Sequence, residues 1–261
     1  MKTIYKIVLL TVVSLITFTG CNNDEYLVDG GKANPYYDGN IWEYLNNHPY
    51  HEDLFGDLTQ IISLAGLEDI CKNENITLFA PTNESIRRSL NSLNQVLWAS
   101  GYDRLATDEN GNYYLDQVKP EVWRDMLSLY IFKDKYRLKD IAQVDTLAMT
   151  TYPGQITVTR ENNYHIRLGV VYDDAGGIKY AGARKIVFRP ENVAYPLWAH
   201  VATCDIQPTN GVVHVVSLTQ HTFGFEPLYF VIKAMQAGID YHEKSTIKGV
   251  NSKNVSHENN E

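Results

Sequence analysis

The chain predicts an α+β fold, with helices packed on a small β framework, and three observations carry that reading. The first is Ile76-Thr77-Leu78-Phe79-Ala80-Pro81-Thr82-Asn83-Glu84-Ser85-Ile86, a run of β-formers that stops at a proline and hands over to a helix. Pro81 has no N–H to continue a ladder and pushes Ala80 toward an extended conformation. Thr82 or Asn83 is expected to accept a hydrogen bond from an early amide of that helix. The second is the stretch from Asp205 to Ser217, where Asn210-Gly211 signals a turn and the β-branched strand Val212-Val213-His214-Val215-Val216 follows at once. The third is a change of period, from helical spacing before Tyr136 to strand alternation after it.

The two blocks lie more than a hundred residues apart, yet together they resemble the signature segments of the fasciclin-like domain. The first matches T-L-F-A-P-T-(N/D)-x-A with Ser85 in place of the usual small apolar residue, and the second matches D-I-x-x-x-N-G-V-I-H-V-V with Val213 in place of isoleucine. Leu129 to Tyr136 lines up with the family's middle segment, but Leu129 and Tyr130 stand where a Tyr-His pair is expected. In animal members that pair is associated with integrin-type adhesion, so the activity does not carry over. The resemblance implies a fasciclin-like β-wedge or sandwich with several helices packed on it, enlarged by insertions, and a function in adhesion or recognition without catalysis. Thr77, Phe79, Pro81, Thr82, Asn83, Asn210, Gly211 and His214 would then be motif residues that hold the framework.

Taken in order, Met1 to Gly20 reads as a secretory signal: Lys2 and Lys6 precede an apolar run from Ile7 to Phe18 that is short for a spanning helix. Phe18-Thr19-Gly20-Cys21 resembles a lipobox, which would place a diacyl lipid on Cys21, the alternatives being an ordinary cleaved signal or a retained anchor. Residues 21–40, with Gly30-Gly31, Asn34-Pro35 and Asp38-Gly39, read as a flexible tether. Helices are expected around Ile41, Trp42 and Leu45, and again where Leu54, Phe55, Leu58, Ile61, Ile62 and Ala65 share a face before Gly66. A third helix runs from Ser85 to about Trp98, and a fourth opens at Pro120. Between them, Gly101 to Asp116 reads as a polar hairpin or loop. Strands follow at Gln155–Arg160, Tyr164–Val171 and Lys185–Phe188, then a helix or turn region at Pro227–Ala237. The organisation is one domain over 41–240, with insertions around 100–118 and 160–200, and a disordered tail over 241–261.

Charge excludes one class of partner. Thirty-one acidic residues against twenty-three basic ones give a formal charge of −8, with no long Lys/Arg cluster, so a phosphate-neutralising nucleic-acid surface is missing. Beyond Cys21 only Cys71 and Cys204 remain, either as a disulfide permitted in an envelope compartment or as two small buried residues.

Catalytic templates fail in turn: no Gly-x-Ser-x-Gly elbow, phosphate-cradling glycine loop, His-Glu-x-x-His or Cys-x-x-Cys occurs. The chain therefore reads as no enzyme, with no cofactor and no metal. His48-Pro49-Tyr50-His51-Glu52-Asp53 gathers metal-type donors but lacks zinc spacing, and reads as a solvated junction between helices. His214, placed among valines, is expected to be a buried histidine that hydrogen-bonds backbone or a side chain and holds a loop in place. The positive signal is aromatic: 11% of the residues are Phe, Trp or Tyr, and several fall in loops. Rings of this kind stack on sugars or pack against a protein. Tyr113, Tyr114, Tyr195 and Trp198 are the candidate ligand contacts. The expected setting is a cell envelope, the outer membrane in particular, with the domain surface-exposed on its lipid anchor. Its partner would be an extracellular polysaccharide or protein, or else an outer-membrane transporter complex that it serves as an accessory subunit.

Overall fold

The computed structural model describes residues 34–191, 197–219 and 221–242. Cys21, the leader, the tether up to Lys32 and Ala33, Tyr195, and the tail from Glu243 on lie outside the described residues.

Seven strands form one sheet in the order β2-β1-β7-β6-β5-β4-β3. β1 (Ile76–Ala80) and β7 (Gly211–Val216) are its parallel pair, in register from Ile76 opposite Gly211 to Ala80 opposite Val215. Every residue of β1 is buried, as expected for a strand covered on both faces. The remaining pairs are antiparallel: β2 (Ile131–Phe132) on β1, and the meander of β3 (Gln155–Val158), β4 (His165–Tyr172), β5 (Arg184–Pro190) and β6 (Ala199–Ile206) running on to β7. The stretch 160–200, expected as an insertion, thus supplies β4 and β5, which are integral to the sheet.

The sheet folds back on itself. Phe79 of β1 and Phe188 of β5 are separated by two strands in the ladder, yet their ring centroids are 4.3 Å apart. The two sheet edges also meet, through Arg160 N donating to the Ile131 carbonyl at 2.8 Å and the Tyr136 and Thr157 hydroxyls at 2.7 Å. The enclosed space is filled by aromatic side chains, Phe79, Phe132, Tyr130, Phe188 and Phe225. This is the wedge that the resemblance implies.

Helices cover the β1 side: α1 (Ile41–Asn46), α2 (His51–Leu54), α3 (Gly56–Leu64), α4 (Glu68–Asn73), α5 (Asn83–Ala99), α6 (Pro120–Leu127) and α7 (Pro227–Ala237). The apolar stripe of α3 and that of α5 (Ile86, Leu90, Leu93, Leu97) join a single core running from Ile41 to Ala234. The domain starts earlier than the composition suggests. Tyr36 bridges Gln207, Thr209 N donates to the Gly39 carbonyl at 2.8 Å, and Asn40 forms a capping box with Glu43. Residues 36–40 therefore belong to the folded unit, not to a tether, and the compact unit begins at Tyr36. Cys71 and Cys204 are free thiols, and burial pushes the Cys71 thiol up to about 12. No helix among the described residues is long and apolar enough to cross a membrane.

Candidate functional site

The signature residues are spent on the framework. Asn210 accepts from Ile41 N at 2.8 Å and donates to the carbonyls of Cys71 and Glu74, both at 3.0 Å, so one amide joins the start of α1, the end of α4 and β7. Gly211 has no room for a side chain, because a Cβ there would collide with the Ile76 carbonyl oxygen. Thr77 Oγ1 donates to the Asp134 carbonyl at 2.6 Å and accepts from Tyr136 N at 2.9 Å. His214 is fully buried; Asp205 N donates to its Nδ1 at 3.2 Å and its Nε2 donates to the Tyr136 carbonyl at 2.7 Å. These two bonds fix one neutral tautomer, and burial holds the imidazole below its ordinary pKa.

The expected cap of α5 is corrected. Thr82 is the N-cap residue, but its hydroxyl makes no cap bond and is a buried oxygen with no partner. Asn83 turns away to accept from Asp57 N at 2.9 Å and donate to the Glu52 carbonyl at 2.6 Å. Its amide is used to tie α2 and α3 to α5, a tertiary demand that outweighs local capping. The His48–Asp53 junction is likewise structural: His48 packs edge-on against Phe55, and His51 Nδ1 lies 2.9 Å from the Leu45 carbonyl. No group of three or more metal-type donors occurs among the described residues.

Exposed chemistry collects elsewhere, where α5 ends. Gly101 adopts φ +81°, its N–H bonds the Trp98 carbonyl, and Tyr102 N bonds the Leu97 carbonyl, the two bonds of a Schellman stop. The stop throws Trp98 and Tyr102 outward, 62% and 55% exposed. Arg104 lies over the Trp98 ring at 4.7 Å. Beneath this surface the loop is internally hydrogen-bonded. Gln117, fully buried, accepts from Ala106 N and donates to the carbonyls of Ala106 and Tyr114. Asp108 accepts from Asn110 N and Asn112 N around the Gly111 turn, and the bonds from Asn112 hold its carboxyl below the usual range.

The segment 239–242 clasps this loop. Ile239 bridges Val118, Asp240 N donates to the Gln117 carbonyl, Lys119 pairs with Asp240 at 2.5 Å, and His242 Nε2 lies 2.9 Å from Asp116. The clasp brings Tyr241 beside Tyr102 and Asp103, and burial, then those neighbours, raises its hydroxyl pKa. The resulting surface carries Trp98, Tyr102, Tyr114 and Tyr241.

The three sequence-selected aromatics among the described residues have different surroundings. Tyr113 is half-buried, its hydroxyl donating to Asn91 Oδ1 at 2.8 Å. Tyr114 is partly exposed and stacks on the His242 ring at 4.6 Å. Trp198 lies at the start of β6 beneath Arg189, 4.8 Å from its guanidinium, and Tyr195 is outside the described residues. Trp98 and Tyr241 were not legible as candidates; the one signal was Gly101, placed to end a helix just after an aromatic residue.

A family model for the fasciclin domain matches residues 53–218. No curated protein sequence matches the chain. Among solved structures, a domain pair from the insect cell adhesion molecule fasciclin I is similar, with 22% identity and a TM-score of 0.40. The match covers 67% of this chain and 46% of that one, so the chain spans under half the length of that relative.

Proposed function

The chain belongs to the fasciclin domain family, and from that premise we propose that it is a non-catalytic recognition module, held to a cell envelope by a lipid on Cys21. In this reading the framework formed by Asn210, Gly211 and His214 only supports, and contact with an extracellular polymer or protein is made by the rim of the 100–118 loop. The observation that carries it is the set of exposed rings at this place: Trp98 in the last turn of α5, Tyr102 and Tyr114 on an internally hydrogen-bonded loop, and Tyr241 on the segment that clasps it. Rigid amphipathic rings give contact area at small entropic cost. Two acyl chains on Cys21 would suffice for stable anchoring, and the signal and lipobox support an outer-membrane, surface-exposed setting.

Binding of the purified chain to arrays of extracellular polysaccharides and matrix proteins tests the reading. Trp98→Ala with Tyr102→Ala should abolish binding, and unchanged binding by that variant would refute it. Palmitate labelling that depends on Cys21, and removal of the domain by protease on whole cells, test the anchor and its exposure. A second reading, an accessory subunit docked to an outer-membrane transporter, draws on the edge strand β3, whose Ile156 and Val158 are 53% and 48% exposed. Co-purification of a stoichiometric membrane partner that Ile156→Glu removes would favour it.

A further inference from the structure

A groove of about 480 Å³ opens between α6, α7 and the β3–β4 turn, lined by Glu121, Val122, Arg124, Asp125, Asn162, Lys233, Gln236 and Ala237. Its volume lies in the ~300–1,000 Å³ range of small-ligand sites. None of the motif residues reaches it, and it is distinct from the aromatic surface. We propose that this groove binds a short neutral oligosaccharide, recognised along the edges of its hydroxyl groups.

The floor is built around Asp125. Its Oδ1 accepts from Tyr164 at 2.6 Å and Asn162 at 2.9 Å, and its Oδ2 from Lys233 at 3.0 Å and Tyr229 at 3.4 Å. Asn162 is delivered by a tight turn in which it and Asn163 both take left-handed backbone, φ 60° and 49°. Thr159 braces that turn, its hydroxyl donating to the Glu161 carbonyl and accepting from Tyr164 N. Arg124, on the same helix as Asp125, is held by the Ala65 carbonyl at 3.0 Å and Glu161 at 2.6 Å. Positive φ at both central residues is what a tight antiparallel hairpin requires, and it fixes Asn162 at the groove.

The chemistry of the lining selects the ligand class. Two carboxylates, Glu121 and Asp125, face two cations, Arg124 and Lys233, so the groove is formally neutral. An anionic ligand would have to compete with Asp125 for Lys233 and with Glu161 for Arg124, leaving a carboxylate uncompensated. The lining offers no aromatic ring, so a nucleobase or an aromatic side chain finds no stacking face. Its apolar members are only Val122 and Ala237, too little for the hydrophobic anchors that peptide recognition draws on. What remains is hydrogen-bonding capacity. Among the described residues, no hydrogen bond engages the Glu121 carboxylate or the Gln236 amide, and Lys233 Nζ, an ammonium with three donors, is held by Asp125 and Tyr229. A sugar hydroxyl donates and accepts at once, and so bridges an adjacent carboxylate and ammonium or amide without disturbing either.

This ligand class rests on the recognition reading above, and the test separates the two. Calorimetric titration of the full chain uses neutral tri- and tetrasaccharides of glucose, mannose and galactose, with uronate oligomers of equal length as the charged comparison. Glu121→Ala with Gln236→Ala removes two exposed side chains that no described residue uses, so the melting temperature should hold while affinity for the neutral sugars falls at least tenfold. Trp98→Ala should leave that affinity unchanged. No neutral sugar bound more tightly than its uronate counterpart, or undiminished affinity in the double variant, would overturn the groove. If the groove variant alone is silent while Trp98→Ala with Tyr102→Ala still abolishes array binding, the groove is wrong and the recognition module stands. If sugars bind the groove but no polymer or protein is retained by the aromatic surface, the converse holds.

Discussion

Two regions of this chain use polar side chains in opposite ways. In the β1–β7 framework, Thr77, Asn210 and His214 direct their hydrogen bonds onto backbone groups of other elements, and little of them is left facing solvent. In the 98–118 loop and its 239–242 clasp, the polar groups bond within the region and hold aromatic rings at the surface. The difference teaches that the segments easiest to recognise in the sequence are those that fix the fold, and that ligand contact is to be sought where they are absent.

The comparison breaks first at Asn210 and Gly211. Asn210→Ala strands the Ile41 amide and the Cys71 and Glu74 carbonyls at once; at about 1–3 kcal/mol for each buried orphan, urea denaturation should show a loss of roughly 3 kcal/mol or more. Gly211→Ala should do at least as much damage, since its Cβ meets backbone, which cannot swing aside. A loss under about 1 kcal/mol for Asn210→Ala would show that the bonds from its amide to Ile41, Cys71 and Glu74 contribute little. His214→Ala should follow at about 2–4 kcal/mol, from two lost hydrogen bonds and a cavity. Its melting temperature should drop by several degrees while ligand binding at 20 °C, roughly the temperature of maximum stability, persists. Lost binding with unchanged melting would make His214 a ligand residue instead.

Acid sharpens the same contrast. His221 is buried against Tyr130, whose hydroxyl lies 2.7 Å from Nε2 and accepts from Gly224 N, and burial lowers the imidazole to about 3. A histidine with a depressed folded pKa costs nothing above the unfolded value near 6.5. Below it the unfolded chain binds the proton that the native state refuses, so stability falls with pH at up to about 1.4 kcal/mol per unit, down to about 3. His214, also lowered, adds to the slope from the same starting point. Denaturation between pH 7 and 4 should show this decline, and His221→Gln, which keeps an acceptor for Tyr130 but does not titrate, should flatten part of it.

Much of the framework was legible because its signals are local. Pro81 marks the end of β1, Gly66 follows the helical stripe that Leu58, Ile61 and Ile62 bury, and Pro227–Ala237 is a helix with the bounds its pattern suggested. What was not legible depends on partners far along the chain. Tyr36 and Gly39 join the domain only through Gln207 and Thr209, and Asn83 abandons its cap for Glu52 and Asp57. The departure at Leu129-Tyr130 found its meaning in the same way: Tyr130 is matched by an imidazole supplied from His221, 91 residues on. Strands β4 and β5 looked inserted because alternation alone does not say which sheet a strand joins. The candidate surface suffered most, since loop position was taken as a sign of exposure, whereas Tyr113 is tied down by Asn91 and the helical Trp98 is open.

The smallest expected effect on stability is the most informative. Trp98 is 62% exposed and pairs with Arg104, an exposed cation–π contact worth about 0.5–1 kcal/mol. Tyr102 is 55% exposed at the end of the Schellman stop, where the hydrogen bonds are made by backbone and survive truncation of the side chain. Trp98→Ala and Tyr102→Ala should therefore each lower the unfolding free energy by no more than about 1 kcal/mol. If the framework supports and the loop rim binds, the same two changes should cost at least tenfold in affinity for whatever polymer or protein the array identifies. A stable protein that has lost its ligand would place recognition on this rim. A destabilised one would instead make these rings part of the packing, and the division between the two regions would fail at the point where it is most exposed to test.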